Sequence, residues 1–568
     1  MIKISVGVKT GEGKAKGVRL LLILAVALSL VGICREAGAF EIDTGNENVR
    51  LSWDNTFRYN LAYRVKDQNK AIISNPNNDD GDRNFNKGIV SNRLDLLSGL
   101  DLVYKGDHGI RVSGAGWYDQ RYKDHLDNTS LATSNTLKNG RPTNDLNDFV
   151  DRYYAGPNGE LLDAFVFGKL NIGPVPVNVK VGRHSVMWGE SLLLGGYVHS
   201  VAYAQTAVDL GKGQAQPGVE AKELFRPLNS ISLNAQVTER LSIAAQYYLQ
   251  WERNLLPEGG TYLGTTDALL GGGNSFIAGF HPLLGFIRFP HGNDIEPDQN
   301  GDWGVSARWN PRWLDGSLGL YYRNFSDKIP QLFIMPSGPT AGTWQGAYAS
   351  GIRLYGISLS KQVAGVSVGL EFSYRQGMPL VSDPVTILPG SPLPIRGTPP
   401  GAIGNTLHGL VNFIGIISPT PVFDTASWNL EFSWNNWVDV TKGNQYFKGR
   451  DSYSAIDRVS KDFVGVGAGF TPTWYQVLAG VDLSMPLSIS TGLIGNSAVA
   501  FGGNKNAGSY SVGIGADIFT KYKVDLKYID FFGDYDTNPM TGAVTVANGG
   551  SALLKDRGMI TLTLKVTF

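Results

Sequence analysis

The sequence predicts an all-β protein: a transmembrane antiparallel β-barrel of about 18 strands, with 16 as the alternative. Three observations predict this fold. Many segments of about 9–14 residues alternate apolar and polar side chains, as tilted membrane strands do. The connections between these segments alternate between short and long. The chain also ends on an amphipathic strand, whose apolar face is Ile560, Leu562, Leu564, Val566 and the terminal Phe568.

The N-terminus has the three parts of a secretory signal peptide. A basic region is followed by an apolar run at 20–33 and by the small residues Ala37-Gly38-Ala39. This run is shorter than the roughly 20 residues that a membrane-spanning helix needs. We expect residues 1–39 to be removed before Phe40, which leaves residues 40–568 as the barrel. Because Cys34 is the only cysteine, the mature chain would have neither disulfides nor thiolate metal sites.

The composition agrees with a membrane barrel. The chain has 71 glycines and 11% aromatic residues, which suits an apolar outer face with aromatic rims. Fifty basic residues balance 50 acidic ones, and this balance argues against a nucleic-acid partner. A soluble lectin-like β-protein would share part of this composition.

Period-two alternation locates the strands. In 364–375, Leu370 and Phe372 share one face, and Glu371 and Arg375 share the other. In the same way we predict strands at 50–65, 92–104, 108–120, 163–170, 176–184, 229–237, 239–252, 301–309, 315–326, 346–360, 364–375, 405–416, 425–439, 462–471, 476–489, 508–519, 521–533 and 557–568. The segments 163–170 and 405–416 alternate least clearly, and losing both would give the 16-stranded alternative.

The connections then separate by length. Short turns lie at 105–107, 171–175, 238, 310–314, 361–363, 417–424, 472–475 and 520, and all fall on one side of the barrel. Long loops fall on the other. Outer-membrane barrels have short periplasmic turns and long outer loops, so both chain ends are predicted to be periplasmic.

One long connection, 185–228, differs from the polar loops because it is rich in apolar and small residues. A contiguous apolar surface of this length is unfavourable in water. We therefore predict that residues 185–228 fold into the lumen as a plug or constriction, partly helical.

Several motifs resemble a known family. They are Leu51-Ser52-Trp53-Asp54-Asn55-Thr56, the stretch Gly182-Arg183-His184-Ser185-Val186-Met187-Trp188-Gly189-Glu190-Ser191, and Leu554-Lys555-Asp556-Arg557-Gly558 before the final strand. The chain from about residue 40 to 568 resembles the proteobacterial outer-membrane family of domain of unknown function 1302. The resemblance implies a barrel in the bacterial outer membrane that carries hydrophobic compounds such as lipids, hydrocarbons or sterols. It also implies a periplasmic lipoprotein and an inner-membrane transporter as partners.

Two further motifs invite a chemical interpretation. His184, Ser185 and Glu190 suggest a hydrolase, but neighbouring strand residues point to opposite faces, so His184 is badly placed to activate Ser185. We expect no enzyme, and we expect Arg183 and Glu190 to fix the plug through charged hydrogen bonds. The Asn/Asp-rich stretch 75–84 suggests Ca²⁺, but Pro76 and Lys87 stand where an EF-hand needs ligands, so we favour a solvated turn. No metal and no cofactor are predicted.

Apolar residues in the outer loops suggest where a substrate first binds. Loops 276–289, 327–345 and 376–404 are all apolar. They either capture an amphiphile or pack on one another and seal the barrel. The predicted substrate path consists of Arg183, Trp188, Glu190, Phe225, Phe276, Phe280 and Phe286. Phe568 is predicted to be an assembly signal for the barrel assembly machinery.

These observations favour a channel or transporter for hydrophobic or amphiphilic compounds. The alternatives are a general or solute-selective porin and a structural scaffold of an envelope-spanning complex. The expected partners are outer-membrane lipid, the barrel assembly machinery, a hydrophobic small molecule and the two transport proteins that the resemblance implies.

Overall fold

A computed structural model describes residues 40–215, 218–268 and 271–568; the predicted signal peptide, 1–39, lies outside them. The chain forms a closed antiparallel barrel of 18 strands, which confirms the predicted fold and strand number. The barrel strands are β1 (Val49–Arg64), β2 (Gly88–Tyr104), β3 (His108–Asp119), β4 (Asn158–Ile172), β5 (Val175–His184), β6 (Leu228–Thr238), β7 (Leu241–Tyr248), β8 (Trp303–Trp309), β9 (Gly316–Phe325), β10 (Ile352–Val363), β11 (Val366–Pro379), β12 (Ile403–Ile417), β13 (Thr425–Lys442), β14 (Asp462–Leu478), β15 (Val481–Ser484 and Leu487–Ile494), β16 (Gly508–Ile518), β17 (Tyr522–Phe532) and β18 (Met559–Thr567).

The barrel closes between its first and last strands. β1 pairs with β18 from Thr56↔Thr567 to Arg64↔Met559. The terminal residue extends this pairing, because the Phe568 amide donates to the Asn55 carbonyl at 2.9 Å and the Asn55 amide donates to the Phe568 backbone oxygen at 2.7 Å. The short strand Phe40–Ile42 pairs with β1 beside this seam.

Connection length alternates as predicted. The turns 105–107, 173–174, 239–240, 310–315, 364–365, 418–424, 479–480 and 519–521 lie at one end of the barrel, and the long loops lie at the other. Of the described residues, the first, Phe40, and the last, Phe568, both lie on the short-turn side. The two least certain predicted strands are both present, as β4 and β12.

The two faces of the wall differ in chemistry. On β11, Leu370 and Phe372 are 39% and 43% exposed, whereas Glu371, Ser373 and Arg375, on the other face, are buried. The same alternation runs round the barrel, so the outer face is apolar and the inner face polar. Such a surface is that of an outer-membrane barrel in contact with lipid. Within the described residues, no helix is long and apolar enough to cross a membrane.

The two largest boundary errors lie at Pro472 and at residue 346. The turn predicted at 472–475 lies at 479–480, because β14 continues through Pro472 to Leu478 and Pro472 keeps its register with Ala426 of β13. There the Met485 amide donates to the Pro472 carbonyl at 3.0 Å, and Met485 and Pro486 interrupt β15 on the opposite side. The strand predicted to start at 346 starts at 352, because Gly346 and Ala347 pair with Leu332 and Gln331 in a loop hairpin.

The long loops form a structured layer over one end. Its short strands are Leu137–Lys138, Arg141–Pro142, Ser275–His281, Gly285–Pro290, Gln331–Gly338, Ala341–Ala347, Val385–Thr386, Tyr535–Thr537 and Val544–Ala547, and its helical turns are Lys70–Ile73, Asp80–Arg83, Gln120–Lys123, Asp148–Val150, Asp151–Ala155, Asn444–Tyr446 and Gly550–Leu554. Phe85, Tyr122 and Tyr262 pack in the core of this layer. A buried ion pair, Arg64–Asp82 at 2.6 Å, joins it to the end of β1.

Candidate functional site

The connection between β5 and β6, residues 185–227, is named the inner segment here. It contains the short helices Leu194–Tyr197, Leu210–Ala215 and Ala221–Leu224, and the strands Ala207–Val208 and Phe225–Arg226, which pair with each other. It leaves β5 at His184 and enters β6 at Leu228, which is the register partner of His184. Its hydrogen bonds go to side chains on the buried, polar face of the wall.

Two arginines of the wall bind carbonyl groups of the inner segment. Arg323 on β9 donates to the carbonyls of Val201 and Tyr203 at 2.9 and 2.6 Å. Arg375 on β11 donates to Val198 and Ser200 at 2.9 and 2.8 Å. Because both guanidinium groups are buried, these charge-assisted bonds replace hydration that the arginines have lost.

Two glutamates bind its amide groups. The Glu371 carboxylate accepts from the amides of Glu190, Ser191 and Val201 and from the Ser200 hydroxyl. Glu431 on β13 accepts from the Leu192 and Leu193 amides at 2.7 and 3.2 Å. Gly189 and Gly196 let the chain approach this closely, since a methyl group on either would overlap a carboxylate oxygen of Glu371 or Glu431.

The C-terminal half of the inner segment is fixed to the opposite part of the wall. Glu223 forms an ion pair with Arg58 on β1 at 2.8 Å. Glu220 forms another with Lys565 on β18, also at 2.8 Å. Lys212 pairs with Glu160 on β4. The inner segment is thus bonded to strands on widely separated parts of the barrel.

A pair of buried histidines adds a further contact. His199 Nε2 donates to the Gly502 carbonyl at 2.8 Å, which leaves its Nδ1 to accept from His408 Nδ1 at 3.0 Å. In this arrangement the His199 ring is neutral. Burial lowers the pKa of His199 to about 4, in agreement with this hydrogen bonding.

Three of the predicted path residues lie in the inner segment. The Trp188 ring is 6.1 Å from that of Tyr321, and the Phe225 ring is 5.3 Å from that of Tyr197. Glu190 accepts from Arg308 on β8 at 2.9 Å. These three residues are therefore bound to the wall or to the core of the segment itself.

Arg183 is placed differently. It shares a face of β5 with Val179 and Val181, and its guanidinium bonds to Glu252 at 3.0 Å and to the Leu161 carbonyl at 3.1 Å. Its partner is therefore in the β7–β8 loop, and Glu190 is paired elsewhere. A part for Arg183 in the substrate path stays a prediction.

Phe276, Phe280 and Phe286 lie in an outer hairpin, apart from the inner segment. The rings of Phe280 and Phe286 are 5.4 Å apart, and Phe276 pairs with Phe289. The tip is bare, because Phe280, Leu283 and Leu284 are 65%, 89% and 67% exposed. The structure therefore divides the predicted path between an apolar outer hairpin and the inner segment.

The other two apolar loops pack partly on each other. Phe333 of one is buried against Val385 and Ile387 of the other. Leu388, Leu393 and Ile395 remain more than 60% exposed. Residues such as Phe333 therefore pack the two loops together, whereas residues such as Leu388 leave an apolar surface exposed.

The arrangement at His184 and Ser185 does not form a catalytic pair. His184 Nε2 bonds to the Ser232 hydroxyl at 2.7 Å, and the Ser185 hydroxyl donates to the Phe225 carbonyl at 3.3 Å. In the described parts of the chain, no group of three or more His, Cys, Asp or Glu side chains is arranged to hold a metal ion.

The residues that sequence reasoning missed are the wall partners of the inner segment, Arg58, Arg323, Glu371, Arg375 and Glu431. The available signal was charge at inner-face positions of strands that otherwise carry Ser, Asn and Gly. Paired opposite charges on one inner face indicate something polar against that face.

Two cavities flank the inner segment. One, of about 300 Å³, lies between Leu193, Gly195 and Gly196 and the wall at β13–β16. The other, of about 540 Å³, lies beside Trp188 on the β5–β9 side, and Lys180 and Arg308 line it. The inner segment therefore occupies part of the barrel cross-section and leaves space on two sides.

Several solved structures align with most of the chain, at low identity and low overall similarity. Pseudomonas aeruginosa OpdK with vanillate aligns over 91% of this chain and 98% of its own, at 9% identity and a TM-score of 0.39. A BenF-like porin from Pseudomonas fluorescens Pf-5 aligns over 92% and 98%, at 9% and 0.40. Acinetobacter baumannii OccAB1 aligns over 94% and 98%, at 12% and 0.40.

No curated protein matches the chain in sequence. The family model described as protein of unknown function (DUF1302) matches residues 20–568, nearly the whole chain. The chain therefore belongs to the DUF1302 family and forms an 18-stranded barrel of the bacterial outer membrane.

Proposed function

We propose that the protein is an outer-membrane channel or transporter for hydrophobic or amphiphilic compounds, with residues 185–228 as its constriction. The observation that carries this proposal is the two-sided attachment of the inner segment. Arg323, Glu371 and Arg375 hold one half, and Arg58 holds the other through Glu223. A segment bonded to both sides of a lumen narrows it without filling it.

The outer hairpin supports an apolar substrate. Phe280, Leu283 and Leu284 expose their side chains together at its tip. Each buried CH₂ group of a bound chain would contribute about 0.8 kcal/mol. The hairpin is thus suited to bind an amphiphile before it reaches the constriction.

Deleting the inner segment tests the proposal. Because His184 and Leu228 are register partners, a four-residue Gly/Ser loop can replace residues 185–227 and leave β5 and β6 paired. We expect large, steady ion conductance from this variant in planar bilayers and small or intermittent conductance from the intact protein. Equal, large conductance from both would contradict a constriction at this segment.

A second deletion is the matched control. Phe276 and Phe289 are paired, so a short turn can replace 277–288 without opening the hairpin base. Conductance should stay as in the intact protein, whereas binding of a fluorescent fatty alcohol to cells that display the protein should fall. Unchanged binding would argue against capture by this hairpin.

We also propose that the short-turn side receives the partners. A hydrophobic compound released there would be poorly soluble in the aqueous periplasm, so a periplasmic lipoprotein and an inner-membrane transporter would have to accept it. Crosslinking from the 310–315 and 418–424 turns tests this. If crosslinking recovers neither a lipoprotein nor a transporter, the protein acts as a channel without these partners. Assembly through Phe568 by the barrel assembly machinery belongs to the same proposal.

A solute-selective porin is the second candidate. The larger cavity carries Lys180 and Arg308, and rings of charge select ions in porins. Strong anion selectivity of the intact protein, lost on Lys180→Ala, would favour the porin.

A further inference from the structure

We propose that the smaller cavity is a binding passage for slender, uncharged amphiphiles: an apolar chain that carries hydroxyl or ester oxygens. This inference rests on the proposed function and names the substrate class and the side of the inner segment on which it moves. Its starting point is where the inner segment is attached. Among the described residues, no hydrogen bond or ion pair joins it to β14, β15 or β16.

The cavity lies on this unattached side. It extends from Leu193 and Gly195 of the inner segment, past Gly467 on β14 and Ser490 on β15, to Thr265 and Leu554 in the outer loops. The cavity volume, about 300 Å³, is roughly that of ten water molecules in the liquid. It thus connects the loop layer to the middle of the barrel.

The lining is almost free of charge. Ten of the 26 lining residues are glycine, and Glu431 is the single one with an ionisable side chain. The Glu431 carboxylate already accepts the Leu192 and Leu193 amides. What remains is backbone, hydroxyl groups, the Asn504 amide and apolar side chains such as Phe463, Phe501 and Leu193. An ion entering here would lose hydration without a counter-charge, whereas a neutral chain with oxygens would find both kinds of partner.

Leu193 and Gly467 approach each other closely in the lining of the cavity. A Cβ atom on Gly467 would lie 2.5 Å from Leu193 Cδ1. The atom that it meets is the end of a flexible side chain, so a larger residue at 467 should fold and close the passage. Inner-face Gly99 on β2 offers a matched control, because its nearest atoms would be 3.7 Å from an added Cβ.

The test uses a single thiol in the passage. Ser490→Cys places the only cysteine of residues 40–568 in the lining, and the purified protein is reconstituted in lipid vesicles. Rates of modification by neutral, anionic and cationic methanethiosulfonates are compared, each divided by its rate with a free thiol. We expect the neutral reagent to react at least tenfold faster than both charged ones. Decanol should protect the thiol, and decanoate should not.

Closing the passage supplies the second arm. Adding Gly467→Leu should slow the neutral reagent at least tenfold, and adding Gly99→Leu should leave its rate unchanged. Equal normalised rates for charged and neutral reagents, protection by decanoate, or no effect of Gly467→Leu would each overturn the proposal. If the anionic reagent reacts rapidly and deletion of 185–227 increases conductance, uncharged amphiphiles are rejected as the substrate class, and the proposed channel function stands.

Discussion

Neutralising Glu371 is expected to loosen the inner segment. The carboxylate is 5% exposed and accepts three amides and one hydroxyl. In the intact protein the Val201 amide donates to Glu371 Oε2 at 2.7 Å. In Glu371→Gln one side-chain oxygen remains, but the other is replaced by an NH₂ group, which faces the Val201 amide and cannot accept its hydrogen bond. A hydrogen bond to a charged group contributes about 1.5–3 kcal/mol, and an unsatisfied buried donor costs about 1–3 kcal/mol.

The sum, about 3 kcal/mol or more, corresponds to a roughly hundredfold shift toward the released segment, since about 1.4 kcal/mol is a factor of ten. Single-channel recording in planar bilayers measures the population of the released segment as the frequency of large openings. We expect a rise of about two orders of magnitude over the intact protein.

Asp525→Asn is the matched control. Asp525 also lies on the inner face, on β17 opposite Gly515, and its replacement removes the same charge. Heat-modifiable migration in gels should show that both variants form barrels. If both variants open as rarely as the intact protein, the Glu371 carboxylate does not hold the segment, and the reasoning above is refuted.

Three further outcomes are expected. The pKa of His199 is lowered to about 4. The contact with His408 is therefore stable above the ordinary histidine pKa of about 6.5 and is lost as the pH falls toward 4. The frequency of large channel openings should increase over this pH range, and it should increase less in His199→Phe. Burial raises the pKa of Glu258 to about 8. The stabilising contribution of its protonated carboxyl group, of the order of a few kcal/mol, is therefore present near pH 4.5 and lost as the pH rises through 8. Hydrogen exchange in loop 249–302 should quicken over this range, and Glu258→Gln should remove this dependence on pH. Phe568→Ala keeps the backbone pairing with Asn55, so the assembled barrel should keep its thermal stability. Slower membrane assembly of this variant would support an assembly signal at Phe568, and an unchanged rate of assembly would exclude it.

Strand number and direction could be predicted because a membrane barrel repeats one simple pattern. On β11, β13 and β16 the outer face meets lipid and the inner face meets polar groups, so the two faces differ at every residue. The error at Pro472 has the opposite cause. Proline usually indicates a turn, but Pro472 stands within β14 opposite the place where Met485 and Pro486 interrupt β15, so its missing N–H falls where the pairing of β14 with β15 is already broken.

The site was less predictable. Trp188, Glu190 and Phe225 could be located because they stand in an unusually apolar loop. The wall residues that bind this loop, Arg323, Glu371 and Arg375, could not be assigned, because which charges meet across the lumen depends on barrel closure and register. The exposed tip at Phe280 and the buried Phe333 also looked alike in sequence, since both lie in apolar loops and only packing distinguishes them.

The bonds of the inner segment also bear on the order of biogenesis. Glu190 is held by Glu371, 181 residues later, and Leu192 by Glu431, 239 residues later. Contacts between such distant parts of a chain form late, because long loops must close first. The wall strands that hold its N-terminal half, β9, β11 and β13, are synthesised after it, and the seam at Phe568 comes last. Each newly inserted barrel should therefore pass through a leaky stage with an unobstructed lumen, and selection on this protein would act on the speed of its final closure as well as on the finished pore.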